Sequence, residues 1–270
     1  MRTTFLIAAF LSLNACLLRT SGDGMTTSQA SEALDEASVS AQASELTSAS
    51  IDVSTNFTIG EAAEQAAQDL SAFIQSQLPC ASITLSGNTL AVVYGANPGA
   101  CTYDGHTFSG SETISISPNG TGVEVDHTWT KFSDGVVTVS GTANVTWDAV
   151  NPSRHVVHSL DWTRVWDNRT GHGTADLTQT PLSGGVVVGF QESGTRTWTG
   201  ESGEWTLDVN DVQVRWADPV PQSGSYVLTT PDAKTATLSF SRVDASTIAV
   251  ELTSGNSTFT FDVTETGQTS

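Results

Sequence analysis

Between Val137 and Ala149 apolar and polar residues alternate without a slip. Val137, Val139, Ala143, Val145 and Trp147 fall on one side, and Thr138, Ser140, Thr142, Asn144 and Thr146 on the other. Successive side chains of a strand point to opposite faces, so this stretch predicts an antiparallel sheet with one dry and one wet face. The same period recurs along the chain. Ile83-Thr84-Leu85 and Thr89 to Tyr94 flank a Gly87-Asn88 turn. A two-residue turn at Asn210-Asp211 would set Val209 opposite Val212, Leu207 opposite Val214 and Trp205 opposite Trp216. A second turn at Gly255-Asn256 sets Leu252 opposite Phe259, Val250 opposite Phe261 and Ile248 opposite Val263. A slip of one residue would turn every apolar side chain to water, so these registers are strongly specified. Upstream, Leu238 and Phe240 can face Val250 and Ile248 across a turn near Asp244. Tyr226 and Leu228 can precede them across Pro231-Asp232, which makes the C-terminal third a four-strand meander.

Before the strands the period is helical. Ala62, Ala63, Ala66, Leu70, Phe73, Ile74 and Leu78 form one apolar stripe. Thr58 and Glu61 fit a capping box at its start, and Pro79 stops it. The spacing therefore predicts one N-terminal helix, Thr58 to Leu78, packed on the sheet. The expected fold is mainly β: a large antiparallel meander, as a curled sheet, barrel or sandwich, forming one domain over residues 57–270. Residues 16–56 are rich in Ser, Ala and Thr, with too little apolar content to build a core. They read as a tether, transiently helical around Ser31 to Leu46, and a flexible coil of about forty residues reaches about 35 Å r.m.s..

The chain carries 10 Lys+Arg against 29 Asp+Glu, a formal charge of −19. Nucleic acid is excluded as a partner, because its binding depends on Lys and Arg neutralising phosphates. Adhesion to anionic lipid by charge alone is excluded on the same ground. Acidity of this kind mainly keeps a protein soluble.

Residues 1–15 have the layout of a secretory signal: Arg2, then an apolar run from Phe5 to Leu13, too short to span a bilayer. The run ends in Leu13-Asn14-Ala15-Cys16, which resembles the lipobox of bacterial lipoproteins, with Asn14 where Ser, Thr or Ala is usual. The resemblance covers about the first sixteen residues. It implies that Cys16 becomes the N-terminus and is thioether-linked to diacylglycerol, anchoring the protein to a membrane. Leu17 stands where Asp would signal inner-membrane retention, so the resemblance implies a cell-envelope protein of the outer membrane. Two cysteines remain, Cys80 and Cys101, and export places them in an oxidising compartment, so a disulfide is expected.

No G-x-S-x-G, H-E-x-x-H, P-loop or calcium-loop pattern occurs. With 29 acids, no carboxylate pair stands out as glycosidase-like. His155 and His158 look metal-like, but positions three apart on a strand point to opposite faces. His158 is in phase with Val156, Leu160, Trp162 and Trp166, which makes it a core-edge histidine. His155, Asp161 and Asp167 share the other face and could in principle hold a cation. The expectation is no metal and no cofactor. All seven tryptophans lie between 129 and 216. Trp147, Trp162, Trp166, Trp205 and Trp216 are in phase with Val and Leu and read mainly as core. Trp198, amid Thr195, Arg196, Thr197 and Thr199, reads as the exposed one. The candidate ligand contacts are Trp198, Trp162 and Trp166, either as a platform for sugar rings or as the wall of an apolar cavity. The function expected is a non-enzymatic envelope lipoprotein, a binding or structural module for a protein, glycan or lipid. The alternatives are a lipid carrier or chaperone and an envelope hydrolase.

Overall fold

The computed structural model describes residues 24–55, 62–103, 105–120, 122–148, 150–185, 188–215 and 217–264, with the backbone alone for Thr27, Ser31, Leu34 and Ser38. The signal segment, Cys16, Leu17, the Thr58–Glu61 box and Trp216 lie outside the described residues. The described residues divide into two compact units, one formed by Gln42–Asp176 and the other by residues 24–41 together with those from Leu177 onward. Neither begins at residue 57.

The helices are α1 (Thr27–Val53) and α2 (Ala63–Gln77). Helix α1 occupies the segment expected to be a tether. Thr26 and Gln29 close its N-terminus reciprocally: the Gln29 N–H donates to Thr26 Oγ1 (3.3 Å) and the Thr26 N–H donates to Gln29 Oε1 (3.0 Å). This is a capping box. From Val39 to Thr55 no residue of the chain is exposed. Ala43, Leu46, Ala49, Ile51 and Val53 are buried, and so are Ser44, Thr47, Ser50 and Ser54. Two of these hydroxyls survive burial by bonding locally. Thr47 Oγ1 donates to Ala43 O (3.1 Å), and Ser54 Oγ donates to Ile51 O (2.7 Å). The helix is a core helix made of small side chains, and its burial overturns the tether reading for residues 24–55. Helix α2 runs close to the expected span, but Ala62 is its N-cap, without a side-chain cap bond. Ala66, Ala67, Leu70 and Ile74 are its buried side.

In the unit Gln42–Asp176 the strands are β1 (Ser82–Ser86), β2 (Thr89–Tyr94), β3 (Thr102–Tyr103), β4 (His106–Thr107), β5 (Ser109–Pro118), β6 (Gly122–Ser133), β7 (Val137–Asp148), β8 (Ser153–Arg164) and the first part of β9 (Thr170–Pro181). Helix α2 packs on β1, β2 and β5. The dry face carries Leu90, Val92, Ile114, Ile116, Val125, Trp129, Val139, Val145, Val156 and Leu160, all buried. A bulge in β6 between Trp129 and Phe132, with Lys131 at φ 50°, returns Phe132 to the dry side.

The second unit holds the rest of β9, then β10 (Gly189–Gly200), β11 (Gly203–Arg215), β12 (Ser223–Thr229), β13 (Thr235–Arg242), β14 (Thr247–Ser254) and β15 (Ser257–Thr264). Among the described residues, thirteen strands follow one another in chain order, with β3 and β4 forming a separate pair. The order is linear, with β1 at one end and β15 at the other. This is the meander that the alternation predicts, without the closure of a barrel.

The Gly255-Asn256 hairpin has the expected register: Ile248 opposes Val263, Val250 opposes Phe261 and Leu252 opposes Phe259. Across β13 and β14 the register is two residues off the expected one, with Phe240 opposite Val250 and Leu238 opposite Leu252. A shift of two preserves the face. Asn210-Asp211 is not a turn. It is a bulge inside β11, with Asp211 at φ 49°, and the hairpin turn lies at Glu201-Ser202. A two-residue turn and a one-residue bulge both keep Val209 and Val212 on the dry face, so phase alone does not separate them. Trp205 accordingly opposes Trp198 across β10 and β11.

Candidate functional site

Two places in the unit Gln42–Asp176 bring functional groups together, one buried and one exposed. The buried one joins the end of α1 to β2, β5 and β6. Glu112 sits on the dry face of β5 and accepts three hydrogen bonds: from Ser50 Oγ (2.7 Å), from the Tyr94 hydroxyl (2.8 Å) and from His127 Nδ1 (2.8 Å). The other ring nitrogen, His127 Nε2, lies 3.3 Å from Ser54 Oγ. Trp129 donates through Nε1 to Ser50 Oγ (3.1 Å), and its indole stacks with the His127 ring at 5.3 Å. Burial, reinforced by the Glu112 carboxylate, pushes the Tyr94 phenol well above its ordinary range, so it remains a donor.

The order serine, imidazole, carboxylate is that of an acyl-transfer relay, with Nε2 toward the hydroxyl and Nδ1 toward the acid. The sequence reading missed it because its members are 15 and 73 residues apart and no local pattern links them. Two observations favour a structural role. Ser54, Glu112 and His127 are all buried, and the Ser54 hydroxyl has a nearer acceptor in Ile51 O than in the imidazole. A fully satisfied buried network specifies how an element docks. Here it fixes the C-terminal turns of α1 against three strands.

The exposed place is the turn after β8. Trp166 is 70% exposed, although its period places it with the core. The strand ends at Arg164, and residues 165–167 form the turn. Asn168 N–H donates to Arg164 O (2.9 Å) and Arg164 N–H to Arg169 O (2.8 Å), with Asn168 at φ 61°. The Arg164 side chain is buried. Its Nε donates to Asp167 Oδ1 (2.9 Å) and its terminal nitrogen to Oδ2, a bidentate fork. The guanidinium lies 4.2 Å from the centroid of the Trp166 ring. The Arg164 hydrogen bonds hold the Asp167 carboxyl at about 2, well below the usual range. A buried, forked arginine thus supports one face of an exposed indole.

The neighbouring turn between β6 and β7 is tied in by the Val165 N–H, which donates to Val136 O (2.9 Å). Val136 and Val165 are also exposed. Asp134 organises that turn, accepting from the N–H groups of Val136 (2.9 Å) and Val137 (3.1 Å) and pairing with His106 Nδ1 (3.0 Å). Partial burial pushes the Asp134 carboxyl up, but His106 and the two N–H groups outweigh it and hold it below its ordinary value.

The other expected contacts fall elsewhere. Trp198 is 2% exposed and stacks on Trp205 at 6.2 Å, nearly parallel, so it is core and not the exposed tryptophan. Trp162 is buried too. Gly171 on β9 makes the space for it: a Cβ there would sit 2.1 Å from the Trp162 ring. Trp147 is half-buried under Arg154, and His158 is buried, in keeping with a core-edge histidine. His155, Asp161 and Asp167 do not converge. His155 pairs with Asp176 (2.7 Å), Asp161 with His172 (2.9 Å) and Asp167 with Arg164. No group of three or more metal-ligating side chains occurs among the described residues. Cys80 and Cys101 are bonded, with their Cα atoms 5.3 Å apart. Among the described residues no helix is long and apolar enough to cross a membrane. No protein-family model, curated protein or solved structure matches this chain.

Proposed function

We propose that the protein is a non-enzymatic lipoprotein of the bacterial cell envelope, held to the outer membrane through Cys16, and that it acts as a binding module through Trp166. The exposure of this indole over the Arg164–Asp167 fork is the observation that carries the reading. An exposed aromatic ring held by a salt-bridged arginine loses little freedom on binding, so more of its contact energy reaches affinity. An exposed indole in a turn tied to the exposed Val136 and Val165 suits the apolar face of a sugar ring. The alternative of a lipid carrier has less support, because Ser50 of α1 and Ser54 just after it already bond Glu112, Trp129 and His127 on the dry face. Titration of soluble envelope oligosaccharides against tryptophan fluorescence tests the proposal. Binding weakened at least about tenfold, or about 1.4 kcal/mol, in Trp166→Ala is expected. No binding by the wild type, or equal binding by the variant, removes it.

The Ser54–His127–Glu112 relay supports a second reading, an envelope hydrolase. A fluorophosphonate probe reads it directly. Attack by Ser54 Oγ on phosphorus would expel fluoride while the hydroxyl proton passes to His127 Nε2. Stoichiometric labelling that Ser54→Ala abolishes would establish this reading, and an unlabelled wild type would end it.

A further inference from the structure

We infer that the end of the second unit bearing the turns Gly200–Gly203, Thr230–Lys234 and Ser254–Ser257 is the face this protein turns toward the bilayer. The inference rests on the lipidation of Cys16 proposed above and adds a direction to it. It comes from where the chain is first fastened. Met25 is buried, and its N–H donates to Ser254 Oγ (3.2 Å). Lys234 Nζ donates to Gly24 O (3.3 Å) and Gln29 Oε1 (2.8 Å). Gly24 lies so close to the β14–β15 turn that a Cβ there would be 2.9 Å from Ser254 O. The Ser202 hydroxyl donates to Glu32 on the first turns of α1, and a Cβ on Gly203 would lie 3.1 Å from Pro231. The β10–β11, β12–β13 and β14–β15 turns therefore gather around the start of α1. In an antiparallel meander alternate turns share one end, so the β13–β14 turn at Asp244 belongs to the other.

Chain length limits how far this fastened end can stand from the bilayer. Eight peptide steps separate Cys16 from Gly24, and a chain spans at most about 3.3–3.6 Å per step, or about 29 Å in all. A lipid on Cys16 thus holds the Ser254–Ser257 turn within about 29 Å of the anchored cysteine, whereas a forty-residue tether could let any face approach. The charges fit a face brought near lipid by its anchor and not by adhesion. These turns and the first turns of α1 carry Glu32, Glu201, Glu204 and Asp232 against the one ammonium of Lys234, a balance that anionic headgroups do not attract. The partner is a zwitterionic bilayer surface.

The test uses the full lipidated chain in phosphatidylcholine vesicles carrying headgroup energy-transfer acceptors. Cys16 is acylated and Cys80 is bonded to Cys101, so one added cysteine takes the donor. Asn256→Cys and Asp244→Cys are both exposed turn positions, at the two ends of β14. At about 3.4 Å per residue the eight residues of β14 separate them by about 25 Å or more, so transfer from position 256 should exceed that from 244 at least about twofold. Asp232→Cys against Ala245→Cys repeats the comparison should either first variant fold poorly. Intact mass of the same samples separates the outcomes. A lipid-sized increment with equal or reversed transfer overturns the orientation alone. A chain without the increment overturns lipidation, and the orientation falls with it.

Discussion

Leu46→Ala is the substitution that decides whether residues 24–55 are core or tether. Leu46 is completely buried on α1 within the unit Gln42–Asp176. Truncation to alanine removes three carbons, about 2.4 kcal/mol of transfer free energy at about 0.8 kcal/mol per methylene. The residual cavity adds to this, which puts Leu→Ala losses at about 2.7–5 kcal/mol. Alanine is the better helix former by a few tenths of a kcal/mol, so about 3 kcal/mol remains. In a protein of this size about 1 kcal/mol shifts Tm by about 2–4 °C, giving a fall of about 6–12 °C. Val39→Ala tests the part of α1 in the other unit, where Val39 is equally buried, and should cost about 2 kcal/mol. Urea unfolding followed by circular dichroism measures both, with the midpoint lowered at unchanged slope. A surface or tether substitution changes stability by about 0.5 kcal/mol or less. If both variants match the wild type within that margin, α1 is not part of the core and the fastening of the N-terminus fails with it.

Glu112→Gln keeps the side-chain volume but cannot accept from Ser50, Tyr94 and His127 together. At least one buried donor is orphaned, and thermal unfolding should show a loss of about 1–3 kcal/mol. Arg164→Lys removes the planar fork on Asp167 and the stacking surface beneath the indole. Trp166 should then show lower fluorescence anisotropy, measured by difference against Trp166→Phe. The Asp167 carboxyl, at about 2 in the folded chain, lies below its unfolded value of about 3.9. The pairing is therefore complete above about pH 4 and is lost as the pH falls through 2. Acrylamide quenching of Trp166 should rise over that interval and stay flat from pH 5 to 8. Reduction of Cys80–Cys101, which closes a loop of 21 residues, should lower stability by about 3 kcal/mol in a chemical-denaturation series with and without reductant.

The sheet was legible because its signal is local and redundant. Every strand of a half-buried antiparallel sheet repeats the same two-residue period, and Gly255-Asn256 supplied the φ > 0 residue its turn needs, Gly255 at 57°. The failure at Asn210-Asp211 has an equally local cause. A positive-φ Asp serves a tight turn or a bulge, and both restore the dry-face phase of Val212 and Val214. Helix α1 was misread for a different reason. A core helix is usually recognised by bulk, whereas this one buries Ala, Ser and Thr beside Leu46 and Ile51, with Thr47 and Ser54 bonding its own carbonyls and Ser50 bonding Glu112. The Thr26-x-x-Gln29 box is the local signal that marks its start.

The site divides in the same way. Trp162 and Trp166 share a strand phase, yet one is buried over Gly171 and the other is exposed. The difference is that β8 ends at Arg164, two residues before Trp166, where the period no longer assigns a face. Trp198 looked exposed because its sequence neighbours are polar, but β10 pairs it with Trp205. By itself the sequence determined the class of fold, the C-terminal hairpins and the cysteine pair, since each follows from periodicity or composition along a short stretch. Only the tertiary structure decided which tryptophan meets solvent, that α1 belongs to the core, and that Ser54, Glu112 and His127 meet. These depend on strand ends and on contacts between residues far apart in the chain, which no window of neighbouring residues encodes.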